Sequence, residues 1–166
     1  MRISSPTPEL VRQVALNMRD RDYKEFSAVS FAQNREELAD AMAERYGERP
    51  DVMVGCLDDM TPVCVGAAVM ARPNVVTLLF FATKDFKKIA LPATRFIKKQ
   101  FLARLVATGV HRIEAVSLAG YSEAHKWLEA LGLKQETQAM LDYGKNREAF
   151  TQFAWVREHG RFGGEE

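Results

Sequence analysis

Lys84, Lys87, Lys88, Arg95, Lys98, Lys99 and Arg104 crowd into one stretch of the chain, opposed there only by Asp85. An excess of this kind suits phosphate groups, whether on a small phosphorylated ligand or on a nucleic-acid backbone, because point charges serve both and read no base. The alternative is a solvated helix face. Lys87 and Lys88 precede a helix and are the expected anion contacts, whereas Lys98 and Lys99 are expected to be exposed. The other reactive side chains form no constellation. His111, His125 and His159 lie far apart with no i, i+4 pair and no neighbouring cysteine, so no metal site is predicted. Ser117, Ser122 and Thr94 sit in no nucleophile elbow. Trp127, Trp155, Phe80, Phe81 and Phe153 interleave with aliphatic residues and read as core rather than as a base-stacking surface.

These residues belong to a chain of 166 amino acids, the size of one ordinary domain, so the expectation is a single domain over 1–156 and a flexible tail over 157–166. Hydrophobic residues at 47% supply a core, and charged residues at 27% are normal for a folded chain. With 23 Lys+Arg against 22 Asp+Glu, no global field points to nucleic acid or to anionic lipid. The expectation is therefore no membrane and no nucleic acid, with oligomers left open. Cys56 and Cys64 stand in apolar runs without paired spacing and read as buried thiols in a reducing compartment. No basic and then apolar leader opens the sequence, which predicts an unexported protein.

The elements follow from periodicity. A short strand at Arg2–Ser4 precedes Thr7-Pro8-Glu9, an N-cap with a first-turn proline and acid, and Leu10, Val11, Val14, Ala15 and Met18 give a helical face ending near the charged run Arg19 to Lys24. Asn34 with Glu37 predicts a second, capped helix stopped by Gly47. From Val52 the texture turns to β-branched and small residues: an antiparallel hairpin over Val52–Leu57 and Val63–Met70, then a run at Val75–Ala82 that is apolar on both faces. Phe96, Ile97, Phe101, Leu105 and Val106 predict an amphipathic helix stopped by Gly109, followed by a strand from His111 to Leu118 and a helix from Ser122 to Gly132. Thr137–Tyr143 and Glu148–Val156 are expected to close the chain as a hairpin around Gly144-Lys145-Asn146.

The order strand, two helices, hairpin and third strand, helix, strand, helix, closing hairpin resembles the GCN5-related N-acetyltransferase (GNAT) fold. That resemblance implies an α/β architecture: a mixed, mostly antiparallel sheet with a central parallel crossover and helices on both faces. The segments Gly109-Val110-His111-Arg112-Ile113-Glu114 and Ala124 to Leu133 look like that superfamily's final strand and helix. Met18-Arg19 with Asp22 and Glu25, then Ala119-Gly120, Trp127-Leu128-Glu129, Tyr143-Gly144 and Phe153-Ala154-Trp155, are similar to a phage-encoded branch of internal virion proteins of short-tailed phages. This branch implies a phage structural or host protein as partner, and the host cytoplasm or the virion as location.

The GNAT resemblance also implies acetyl-CoA as cofactor and sets two chemical requirements. The first is a glycine-rich turn whose backbone N–H groups hold the pyrophosphate at a helix start. Its pattern falls on Ile89 to Thr94, where Pro92 and Thr94 stand in place of glycine; Pro92 donates no N–H, and Leu91 and Thr94 crowd the approach. The residues implied to line the cofactor are Phe81, Ala82 and Thr83 on the strand, then Lys87, Lys88, Ile89, Ala90, Pro92, Ala93 and Thr94. The second requirement is an acid for the departing thiolate, commonly a tyrosine, whose position falls on Leu128. Tyr121 is a substitute only if its phenol enters the cleft. Glu114 or Glu25 would be the base, the ordinary alternative for each being a salt bridge. Two functions follow from the resemblance: a GNAT-fold protein with a degenerate acetyl-CoA site, or a working N-acetyltransferase acting on an amine; the lysine cluster adds a third reading, a phosphate-backbone binder whose DNA binding depends steeply on salt.

Overall fold

The computed structural model describes residues 1–160. Seven strands form one mixed, mostly antiparallel sheet in the order β1-β2-β3-β4-β5-β7-β6. They are β1 (Arg2–Ser4), β2 (Val52–Cys56), β3 (Pro62–Arg72), β4 (Val75–Ala82), β5 (Arg112–Leu118), β6 (Lys134–Gln135) and β7 (Phe150–Val156), with β4 and β5 as the parallel pair. The chain divides into two compact units, Met1–Ala68 with Leu79–Ala90, and Val69–Leu78 with the residues from Leu91 on.

In the first unit, β1 and β3 flank β2 in antiparallel register, Ile3 opposite Gly55 and Val54 opposite Val65. A bulge falls between Gly55 and Cys56. Gly55 is required by its neighbour, because a Cβ there would lie 2.5 Å from Cys64 Sγ. Helix α1 (Pro8–Leu16) begins as expected, with Thr7 Oγ1 accepting the Leu10 N–H, and buries Val11, Val14 and Ala15. Helix α3 (Arg35–Tyr46) begins at Asn34, whose side chain accepts from the Glu37 N–H; Glu37 in turn reaches back to the Gln33 N–H. Gly47 ends this helix for a reason the sequence does not show. Its φ of −68° is ordinary, but a Cβ would meet Pro8 Cα at 2.5 Å, so glycine is what lets α3 close on the start of α1.

The charged run after Met18 is not a helix end. It is a helix of its own, α2 (Asp20–Ala28), so three helices rather than two precede β2. Asp20 and Asp22 in its first turn oppose the helix dipole favourably, and Phe26 sets its ring edge against Phe81 at 5.4 Å. Both cysteines are buried and free, as their apolar settings predicted.

In the second unit, β5 pairs with β7 along its whole length, from Arg112 opposite Val156 to Leu118 opposite Phe150. One side of this ladder, Ile113, Ala115 and Ser117 facing Trp155, Phe153 and Thr151, is fully buried. Helix α6 (Ser122–Leu131) stops at Gly132, φ 105°, with Leu133 N–H bonded to the Leu128 carbonyl and Gly132 N–H to that of Glu129. Gly109, φ 104°, ends the preceding helix through the same pair of bonds, Val110 to Leu105 and Gly109 to Val106.

That preceding helix differs from its expected form. It runs as α4 (Ala90–Phe96), a π-helical turn over Ile97–Phe101, and α5 (Leu102–Ala107), and its deeply buried residues are Ala93 and Leu102. The closing hairpin also departs from expectation. Its first strand is Lys134–Gln135, not Thr137–Tyr143, which keeps only a single bridge from Met140 to Phe150. Asp142 and Arg147 take positive φ angles of 56° and 68° and pair with each other at 2.7 Å, a local turn that replaces the ladder. Arg157–His159 form one 3-10 turn, with Arg157 N–H on the His111 carbonyl and Trp155 Nε1 on that of Gly160. The remainder of the expected tail, 161–166, lies outside the described residues. No described helix is long and apolar enough to cross a membrane.

Candidate functional site

The residues expected to line a cofactor on β4 and beyond it belong to the first unit. Phe81 is fully buried. Ala82 donates its N–H to Asp22 Oδ2 at 2.9 Å and accepts the Arg19 N–H on its carbonyl at 2.8 Å. Thr83 donates to the Val63 carbonyl at 2.9 Å, and its hydroxyl accepts the Asp85 N–H. Asp22 is 4% exposed and forms a two-pronged pair with Arg19, Nε to Oδ2 at 2.9 Å and Nη2 to Oδ1 at 3.0 Å. Arg19 then lies over the Phe86 ring, 5.6 Å from its centre, and Phe86 meets Phe80 edge-on at 5.0 Å. The turn is held from behind by Arg35, whose Nη1 donates to the Met18 carbonyl and whose guanidinium stacks 4.4 Å from the Tyr23 ring centre.

Sequence reasoning missed what Arg19 and Asp22 do here. Their i, i+3 spacing signals a local ion pair, but nothing in the sequence reveals that the carboxylate also caps a strand sixty positions later. Glu25, one turn further along α2, is half-buried. Lys84–Lys88 form a 3-10 turn in which Phe86 is buried and Lys87 and Lys88 are exposed; Lys88 pairs with Asp85 at 2.8 Å. Ile89 is buried, its N–H on the Phe86 carbonyl, and Ala90 already begins α4.

The remaining candidates belong to the second unit. Pro92 is exposed in the first turn of α4, Ala93 is buried, and the Thr94 hydroxyl accepts the Trp127 indole N–H at 3.0 Å. Trp127 is thus half-buried and anchored on α4 rather than sunk in the core. Leu128 is buried. Tyr121 is buried at the entrance to α6, where its carbonyl accepts the His125 N–H. Glu114 Oε1 accepts from Arg112 Nε and from Arg72 Nη2, while Arg112 spreads its other two nitrogens over Glu136. Burial raises the Glu114 carboxyl, but the two guanidinium bonds outweigh it and hold the group below the usual carboxylate range. A carboxylate so committed is a weak base. Among the described residues, no group of three His, Cys, Asp or Glu side chains comes together as a metal cluster.

In the first unit both backbone groups of Ala82 are engaged within the chain; in the second, Pro92 has no N–H and the Thr94 hydroxyl is bonded to Trp127.

The sequence matches no family model and no curated protein. The fold, by contrast, has many counterparts. A phosphinothricin acetyltransferase of the GNAT superfamily from Sinorhizobium meliloti, solved with AcCoA, superposes with a TM-score of 0.69 at 12% identity, covering 93% of this chain and 87% of that one. The ribosomal-protein-S18-alanine N-acetyltransferase of Escherichia coli gives 0.66 at 17% identity, covering 93% and 92%. A GNAT-family acetyltransferase from Bacillus anthracis gives 0.64 at 15% identity, covering 94% of each. The fold is that of the GNAT acetyltransferases.

Proposed function

We propose that this chain is a phage or prophage protein that keeps the GNAT fold while its acetyl-CoA site is degenerate, and that it serves as a virion-associated or host-interacting protein. Fold and chemistry are separable, since a fold hosts whatever site its surface residues build. The observation that carries the loss of the site is the double use of Ala82, whose N–H goes to Asp22 and whose carbonyl goes to Arg19. Pro92, the Thr94–Trp127 bond and Leu128 in place of an acid point the same way. The phage setting rests on the sequence resemblance given above. Mass spectrometry of purified particles, with the chain at stoichiometric abundance, is the expected result for a virion role; a chain absent from particles and without a host partner removes it.

The second reading is a working acetyl-CoA-dependent N-acetyltransferase acting on a small molecule or protein. It is favoured by the shared fold with an acetyltransferase solved with AcCoA. Proximity alone carries much of the rate in acyl transfer, so lack of a dedicated acid is not fatal to it. An increase in melting temperature with acetyl-CoA separates the two readings.

A further inference from the structure

Arginines of the second unit are mostly committed. Arg72 and Arg112 bind carboxylates, Arg147 pairs with Asp142, and Arg157 donates to the Val110 carbonyl. Arg95 and Arg104 are different. Together with Lys98 and Lys99 they engage no acidic partner among the described residues, and no acid occurs in the sequence between Asp85 and Glu114.

The π turn arranges them. In a straight α-helix a step of five residues turns the side chain about 140° off its row. The extra residue of the Ile97–Phe101 turn absorbs that offset, so residues spaced four, then five, then four share one face. Ala93, Ile97, Leu102 and Val106 obey this spacing and make the inward row, buried or half-buried throughout. Leu91, Arg95, Lys99, Arg104 and Thr108 obey it too, and every one of them is exposed. Without the π turn Arg104 would leave the row. At about 1.5 Å of rise per residue the three cations extend over about 13 Å, a length over which one nucleic-acid strand presents several phosphates.

We propose that the exposed row Arg95–Lys99–Arg104 is a docking face for a nucleic-acid strand, bound through its phosphates and without base readout. The charge is of one sign, linear and without an acidic partner among the described residues, which matches a regularly spaced polyanion better than the mixed charge of a protein surface. This face is independent of the acyl-CoA reading and stands or falls separately from it. It takes up the phosphate-backbone reading of the basic cluster rather than the expectation drawn from overall charge.

The test is fluorescence anisotropy of the full chain with a labelled thymidine oligonucleotide of about 20 nucleotides. Three phosphate contacts on a single strand predict a slope of about −2 in log affinity against log salt, hence about 16-fold weaker binding at 200 mM than at 50 mM. The triple variant Arg95→Gln/Lys99→Gln/Arg104→Gln should bind at least tenfold more weakly at the lower salt. Lys126→Gln/Lys134→Gln, which removes cations elsewhere in the unit, should stay within twofold. The single variant Lys99→Gln should lower the slope by about 0.7, a reading that does not depend on how the triple variant folds. Absence of binding at low salt, equal binding by the triple variant, or displacement by polyglutamate as readily as by unlabelled DNA would overturn the proposal.

Discussion

Asp22 Oδ2 accepts the Ala82 N–H at 2.9 Å, tying the first turn of α2 to the last residue of β4. The same carboxylate holds Arg19, so one buried acid satisfies a strand end and a guanidinium together. Removing it strands both. Asp22→Ala should destabilise the chain by about 2–3 kcal/mol, since hydrogen bonds to charged groups contribute about that much and a buried partner left unpaired adds its own cost. Asp22→Asn, which keeps an acceptor but not the charge, should cost less. Urea unfolding of the two variants checks the order; equal and negligible effects would refute the role.

Gly47 faces Pro8 at a distance that admits no Cβ. Gly47→Ala should therefore lower stability by about 1–3 kcal/mol through overpacking, although alanine is the better helix former. A melting temperature equal to or above that of the wild type would show that α1 yields without cost.

Burial pushes the Cys64 thiol up to about 12, and the side chain is 6% exposed. The unfolded thiol ionises near 9, so above that pH the unfolded state holds fewer protons than the folded one. The Cys64 contribution to stability is thus full below pH 9 and is lost between about 9 and 12. Cys64→Ala should flatten this alkaline limb in unfolding scans. The native thiol should also resist a disulfide reagent at neutral pH and react on unfolding.

Glu114 gives the opposite sign. Its folded carboxyl lies below the ordinary value of 4.5. Its contribution is therefore present above that pH and is lost as the pH falls below it. Glu114→Gln should reduce the acid sensitivity of unfolding. Were Glu114 instead a general base, the same variant would abolish acetyl transfer, so an amine-acetylation assay distinguishes the two roles.

Much of the fold is legible in the sequence because its signals are local. Thr7-Pro8, Asn34-Glu37, Gly109 and Gly132 each specify a helix end within a few residues, and the structure uses each there. What escapes reading depends on partners far along the chain. The α2 helix is polar in sequence, and its place is fixed by Asp22 on Ala82 and Phe26 on Phe81. The π turn is invisible to a search for regular spacing, because it exists to correct an irregular one. The strand expected over Thr137–Tyr143 fails because Asp142 takes a left-handed turn that composition alone does not demand. At the site, Pro92 and Thr94 stand out in sequence as departures from a glycine-rich turn, while the engagement of Ala82 by Asp22 and Arg19 is legible only in three dimensions.

The most direct test of the account is titration of acetyl-CoA into the wild-type chain by calorimetry, with the melting temperature followed in parallel. A degenerate acetyl-CoA site gives no detectable heat and an unchanged melting temperature at saturating cofactor concentrations. Micromolar binding with a clear thermal shift, weakened in Lys87→Ala/Lys88→Ala, would contradict it and show that the cleft is intact despite Asp22, Pro92 and Thr94.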